Sequence, residues 1–268
     1  MSFRHHLFIG LALALSGLIA GPALAAGPDR LARIESAKAL RVCIWPDYYG
    51  VSFRNPKTQQ LTGFDVDNAH ELAKALGVQV QFVDTSFARF IEDLQADRCD
   101  IAMFGIAPTP ARMEKLRFTQ PHMASDIYGV TTKANRRIQA WADIDKPGVV
   151  VAVAKGTLHQ TVLASRFKHA QLLVTDTPQA REQEVQAGRA DLFTADFPYS
   201  RRLLDNQEWA RLVAPPEPFH VTPYAWAMLP GDNRFHARVE QVLAELKRDG
   251  RLTANARRYG LEQAVVNR

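Results

Sequence analysis

Three short stretches carry residue types suited to holding a small charged molecule. The first is GIAPTPARMEKLRFTQP, from Gly105 to Pro121. Thr109 is a good helix N-cap and Pro110 suits the first helical position, which puts Arg112 in the first turn. A helix start already bears partial positive charge, so a guanidinium there is locally unfavourable without an anionic partner. Free backbone N–H groups and a guanidinium fork together make an anion site, and a carboxylate fits the fork with two parallel hydrogen bonds. The plainer alternative is a surface salt bridge. The second stretch, Lys155-Gly156-Thr157, follows the apolar run VVVAV and opens another helix. It offers a hydroxyl and backbone N–H groups, or simply an N-cap. The third is Asp196, at the end of an apolar strand and before Phe197-Pro198. An acid there could receive an ammonium group, or cap the following helix.

The elements that would position these residues alternate between strand and helix. LRVCI (Leu40–Ile44) reads as a buried strand. Ala69, Leu72, Ala73 and Leu76 share one helical face, which Gly77 ends. Val78–Val83 reads as a strand, Phe87–Leu94 as a helix and Cys99–Phe104 as a strand. The second half repeats the style. It has strands at Val149–Val153, Leu172–Val174 and Ala190–Ala195, and helices after Thr157 and Thr177. A long amphipathic helix covers about Phe235–Lys247. This order predicts α/β architecture with mostly parallel sheets. LQADRCDIAMFG, from Leu94, and VQAGRADLFTAD, from Val185, echo each other. The echo suggests two similar lobes, or is a coincidence of short strings. Ligands of open α/β sheets bind outside the carboxyl ends of the strands. Two facing lobes would therefore point Gly105–Ala107 and Thr194–Asp196 into one cleft.

Length and composition fit this picture. The chain has 268 residues, 47% hydrophobic and 23% charged, with a net charge of +5. Its basic residues are scattered, which argues against nucleic-acid binding. Arg4, the apolar run Leu7–Ala20 and the small-x-small site Ala23-Leu24-Ala25 form the layout of a secretory signal peptide, residues 1–25. A membrane anchor is the alternative, though the run is short for a span. Export permits a disulfide between Cys43 and Cys99, while two small core residues are the simpler reading. No Cys/His spacing suggests zinc, and neither a metal nor a cofactor is expected.

Over some 230 residues the mature chain resembles the polar amino-acid type of periplasmic solute-binding protein, which serves ABC importers. GFDVDNAHELAKALG is similar to that family's first helix and APTPARMEKLRFTQP to its arginine segment. KGTLHQ is similar to its second carboxylate loop, VQAGRADLFTAD to its recognition strand and LAELKRDGRL to its terminal helix. The resemblance implies a two-lobe periplasmic binding protein fold of type II. Lobe 1 would comprise residues 29–124 and 222–268, and lobe 2 residues 125–221. It also implies an α-amino acid ligand. The carboxylate would meet Arg112, the Ala107 N–H and Thr157, and the ammonium would meet Asp196 and the Gly105 carbonyl. Tyr48 and Phe87 would sandwich the side chain, with Trp45 and Leu158 lining the remainder. Trp45 stands where members selecting basic amino acids carry an acid, and Asp47 is not expected to replace it. Ala107 and Val51 replace a more usual hydroxyl residue and a phenylalanine. An uncharged, apolar or aromatic ligand side chain is therefore expected.

The resemblance further implies a monomer that delivers its ligand to an inner-membrane permease. Two other classes remain. The same fold includes cyclohexadienyl dehydratase, which converts prephenate or arogenate and is resembled in LRVCIWPDYY, DIAMFGIAP and DIDKPGV. That chemistry needs a general acid. The pattern places a glutamate three residues after the recognition aspartate, where this chain has Tyr199, a poor acid. Glu182 and Glu184 lie on a predicted helix that need not face the cleft. No enzyme activity is therefore expected. The third class is a ligand-sensing module for a separate membrane receptor.

Overall fold

The computed structural model describes residues 29–267. The expected signal peptide lies outside the described residues. From the N-terminal side the elements are α1 (Arg30–Ala37), β1 (Ala39–Ile44), β2 (Asp47–Tyr48), β3 (Ser52–Arg54), β4 (Leu61–Thr62), α2 (Phe64–Ala75), β5 (Gln79–Asp84), α3 (Phe90–Gln95), β6 (Ile101–Ile106), α4 (Pro110–Met113), β7 (Arg117–Phe118) and β8 (Met123–Ser125). There follow β9 (Ile127–Thr132), β10 (Val150–Ala154), α5 (Leu158–Arg166), β11 (Gln171–Thr175), α6 (Pro178–Gln186), β12 (Leu192–Asp196), α7 (Phe197–Asn206) and β13 (Ala210–Val213). The chain then returns through β14 (Thr222–Met228), α8 (Asn233–Arg248) and α9 (Arg251–Arg257).

Two main sheets result. The first has the order β5-β1-β6-β14-β7, with β8 pairing β14; the second has the order β11-β10-β12-β9-β13. In each, a three-strand parallel block (β5-β1-β6 and β11-β10-β12) continues into antiparallel strands. The mostly parallel expectation therefore holds only for those blocks. The antiparallel partners β14 and β9 lie at the two crossings between sheets. One crossing turns at Asp126, between β8 and β9, and the other runs from β13 to β14. Asp126 ties them together. Its carboxylate accepts the backbone N–H groups of Ile127 at 2.7 Å, Phe219 at 2.8 Å and His220 at 2.6 Å.

Local sequence explains most element boundaries. Thr157 and Thr177 cap α5 and α6, and Asp232 caps α8, each accepting a backbone N–H from the first turn. Thr109 occupies the N-cap position of α4, but its side chain accepts no N–H, and that helix is a single turn. Helix α3 starts at Phe90, not Phe87. The residues from Phe87 to Arg89 form a turn, which leaves the Phe87 ring free to face the cleft. On α8, Phe235, Val239, Val242, Leu243 and Leu246 are buried, the expected apolar stripe of an amphipathic helix.

A disulfide joins Cys43 in β1 to Cys99 just before β6, with Cα atoms 5.5 Å apart and 56 residues of separation. Closing a loop of that length restricts the unfolded chain by about 4 kcal/mol in the chain-entropy account. Each kcal/mol moves the midpoint of a domain this size by about 2–4 °C. Dithiothreitol, or the Cys43→Ser/Cys99→Ser pair, is expected to lower the melting temperature by roughly 8–16 °C. Calorimetry with and without reductant checks this, and a shift below about 2 °C would contradict it.

Candidate functional site

The carboxyl ends of β6 and β12 meet across a cleft, and every binding residue expected from the sequence lines one cavity there. Trp45, Tyr48, Phe87, Gly105, Ala107 and Arg112 come from the first sheet's side, and Thr157, Leu158 and Asp196 from the second's. His159, Arg181, Ala195, Tyr199 and Tyr224 complete the lining. Asp47 is not among these residues.

Arg112 is only 7% exposed. It donates Nη1–H to the Ala107 carbonyl at 2.9 Å and Nη2–H to the Gly156 carbonyl at 3.0 Å. The second bond bridges the lobes. The guanidinium also lies 5.6 Å from the Phe87 ring centroid and 5.3 Å from that of Phe90. No carboxylate pairs with it among the described residues, and burial pulls its pKa down to about 10. Carbonyls and aromatic faces offset part of a buried charge, but an anion would offset more. Gly156, at φ +75°, allows the close approach. A Cβ there would fall 2.9 Å from the Ala88 Cα atom of the opposite lobe. Thr157 hands its hydroxyl hydrogen to the Ala154 carbonyl at 2.7 Å while it caps α5.

Asp196 is buried and ends β12. One carboxylate oxygen caps α7 by accepting the Tyr199 N–H at 3.1 Å. The other accepts the hydroxyls of Tyr224, at 2.9 Å, and Tyr48. Burial pushes this carboxyl up, against the pull of those donors. Gly105, opposite, is held at φ +64° while its N–H reaches the Asp65 carboxylate at 2.8 Å. Asp65 is itself buried and accepts the Trp226 indole N–H at 3.0 Å, with His122 Nε2 at 2.9 Å.

The aromatic walls differ from the expected arrangement. Tyr48 and Phe87 meet edge-on, with centroids 6.1 Å apart and planes at 66°, so they form one wall and cannot sandwich a ring between them. The parallel pair is Trp45 and Tyr199, 2° apart in plane and 6.1 Å between centroids. Behind Tyr199, its hydroxyl donates to the buried carboxylate of Glu182. Burial raises the Glu182 pKa, with the Tyr199 hydroxyl and Arg181 pulling it back. Helix α6 thus turns Glu182 toward the cleft wall, whereas Glu184 pairs with Arg189 at the surface.

Sequence reasoning missed His159, Arg181 and Tyr224 as lining residues. Arg181 donates to the Thr194 carbonyl at 2.7 Å and lies 4.5 Å from the Tyr199 ring centroid. His159 is pulled down to about 3 by burial and, secondarily, by Arg181, so its imidazole is neutral. The histidine stands beside Leu158, and its place in the first turn of α5 was the available signal. Among the described residues no group of three His, Cys, Asp or Glu side chains could hold a metal ion.

The fold and this cleft, two α/β lobes with a shared cavity at their strand ends, define a class of two-lobe binding proteins. Residues 40–262 match the bacterial extracellular solute-binding proteins, family 3, and the chain belongs to that family. It is 32% identical over 252 residues to a cyclohexadienyl dehydratase of Pseudomonas aeruginosa, covering 94% of this chain and 92% of that one. It is 27% identical over 238 residues to a probable amino-acid ABC transporter-binding protein of Haemophilus influenzae, covering 89% and 91%. The crystal structure of an ancestral amino acid-binding protein, described as a precursor of cyclohexadienyl dehydratase, superposes with a TM-score of 0.79 at 32% identity. It covers 86% of this chain and 99% of its own. Among the described residues no helix is long and apolar enough to cross a membrane.

Proposed function

We propose that the chain is a periplasmic solute-binding protein that captures an amino acid or a close derivative and delivers it, as a monomer, to the permease of an ABC importer. The carrying observation is Arg112, a buried guanidinium with two carbonyl partners and, among the described residues, no anion. A ligand carboxylate would complete it, with the Ala107 N–H and Thr157 beside it. The lobes, residues 29–124 with 222–268 and residues 125–221, would close on the ligand, and its binding energy would favour the closed form.

A thermal-shift panel on the chain without residues 1–25, refolded to shed carried-over ligand, tests this. The panel holds the common amino acids, opines, mono- and dicarboxylates, prephenate and arogenate. A ligand at 100 times its Kd stabilises by about 2.7 kcal/mol. A shift with a compound recovered unchanged supports capture; no shift with any of them defeats it. One observation favours a second reading, cyclohexadienyl dehydratase. The 32% relative has that activity, and here the buried Glu182 carboxyl reaches the cavity wall through Tyr199. Conversion of prephenate to phenylpyruvate, or arogenate to phenylalanine, would establish the enzyme.

A further inference from the structure

The arrangement around Asp196 bears on which carboxylates the cleft accepts. A carboxylate oxygen has two acceptor positions. On Asp196, one oxygen faces the start of α7 and caps it. The other has both positions taken, by the hydroxyls of Tyr48 and Tyr224. Both tyrosines are buried, and both come from the opposite lobe, on β2 and β14.

Tyr48 also fills the space on the far side. A Cβ on Gly105 would stand 2.9 Å from Tyr48 Cε1 and 3.2 Å from its hydroxyl oxygen. The phenol tip therefore sits between Asp196 and Gly105, the two groups an α-ammonium would have to bridge. Protein hydroxyls do there what a ligand ammonium would do. An incoming ammonium would have to displace a buried hydroxyl from this oxygen, or take the one position left on the oxygen that faces the start of α7, and displacing the charge-assisted bond of a buried hydroxyl costs free energy.

Charge accounting points the same way. Asp196 and Glu182 both lie within the field of Arg181. Arg112 bonds two carbonyls and, among the described residues, has no carboxylate partner. A ligand bearing one carboxylate and no positive charge balances it. A zwitterion brings a second charge to a place already occupied. The wall it would meet is aromatic and apolar, made by Trp45, Phe87, Leu158 and Tyr199.

We infer that the cleft prefers carboxylates without an α-ammonium group, such as 2-oxo acids and simple carboxylic acids with an apolar or aromatic body, because Tyr48 and Tyr224 occupy the ammonium position on Asp196. This rests on the proposal that Arg112 takes a ligand carboxylate.

The test uses matched pairs that differ only in the amino group: phenylalanine with 3-phenylpropanoate, leucine with 4-methylpentanoate, and glutamate with glutarate. Each is titrated calorimetrically, up to 10 millimolar, into the refolded chain, into Arg112→Ala and into Tyr48→Phe/Tyr224→Phe. The best-bound pair is expected to favour its deaminated member at least tenfold in the natural chain. That preference should shrink or reverse in the double tyrosine variant, whose Asp196 is released. Circular dichroism melts establish that each variant is folded; if the double variant is not, Tyr48→Phe alone takes its place. Tighter binding of the amino member by the natural chain, with both members lost in Arg112→Ala, overturns this inference and leaves the carboxylate reading standing. Absence of binding by every compound defeats the carboxylate reading and this inference with it.

Discussion

Arg112→Ala is expected to abolish ligand binding while leaving the unliganded protein at least as stable as before. The two halves of this expectation have one cause. A guanidinium that is 7% exposed and lacks an anion costs the empty protein part of its solvation energy. The direction of its pKa, down to about 10, reflects that cost. Truncation to alanine removes the charge and gives up two hydrogen bonds to carbonyls, of Ala107 and Gly156. Those losses and gains oppose each other, so the melting temperature should move little or rise. In the complex the balance changes sign. Removing one partner of a buried ion pair costs about 3–5 kcal/mol, which is roughly 200- to 5,000-fold in Kd. Calorimetric titration with whichever compound stabilises the natural chain reads the binding, and a melt of the same variant without ligand reads the folding. Binding within tenfold of the natural chain would remove Arg112 from the site. Arg112→Lys keeps a charge but not the planar fork, and should recover only part of the loss.

The same contrast between local and assembled signals explains how much could be read in advance. The places of Arg112, Thr157 and Asp196 in the cavity were legible because each sits at a strand end or a helix start, where a few neighbouring residues announce the geometry. Their common cavity followed from placing two strand ends face to face. Tyr224 was not legible. It lies in TPYAWAM, which is buried at nearly every position. A strand covered on both faces shows no period-two alternation. Arg181 on α6 carries no local mark either, since its contact with Tyr199 exists only once the helix packs beneath β12. The family resemblance implied a sandwich by Tyr48 and Phe87, but the dihedral freedom of two aromatic side chains decides whether they sandwich or meet edge-on, and here they meet edge-on. The disulfide was open for a related reason. Two cysteines 56 residues apart become neighbours only when β1 and β6 pair.

Asp65 shows a residue whose local reading and assembled role diverge. On the sequence it is an acid in the first turn of α2, favourable there against the helix dipole and otherwise ordinary. In the fold it is fully buried and ties α2 to the paired strands β6 and β14 and to His122 before β8. It receives the Gly105 N–H at the cleft floor, the Trp226 indole on β14 and His122 beside it. Burial alone would raise its pKa, but His122, Trp226 and Gly105 together hold it below the ordinary carboxylate value. The sign of the pH dependence follows. A carboxyl whose folded pKa lies below its unfolded one contributes stability that is present above about pH 4 and is lost as pH falls through the folded value. Asp65→Ala strips three buried groups of their acceptor and should destabilise by about 3–5 kcal/mol, or roughly 6–20 °C in melting temperature. Asp65→Asn keeps the shape but turns one acceptor into a donor, so it should fall between. Melts of the three chains from pH 2.5 to pH 7 check both points. The natural chain should lose stability more steeply below pH 4 than Asp65→Asn, whose side chain does not titrate. Parallel acid limbs would show that Asp65 is not a source of the slope. The variant should also bind more weakly than its stability loss alone explains, because Gly105 at φ +64° loses the partner that fixes its place against Tyr48.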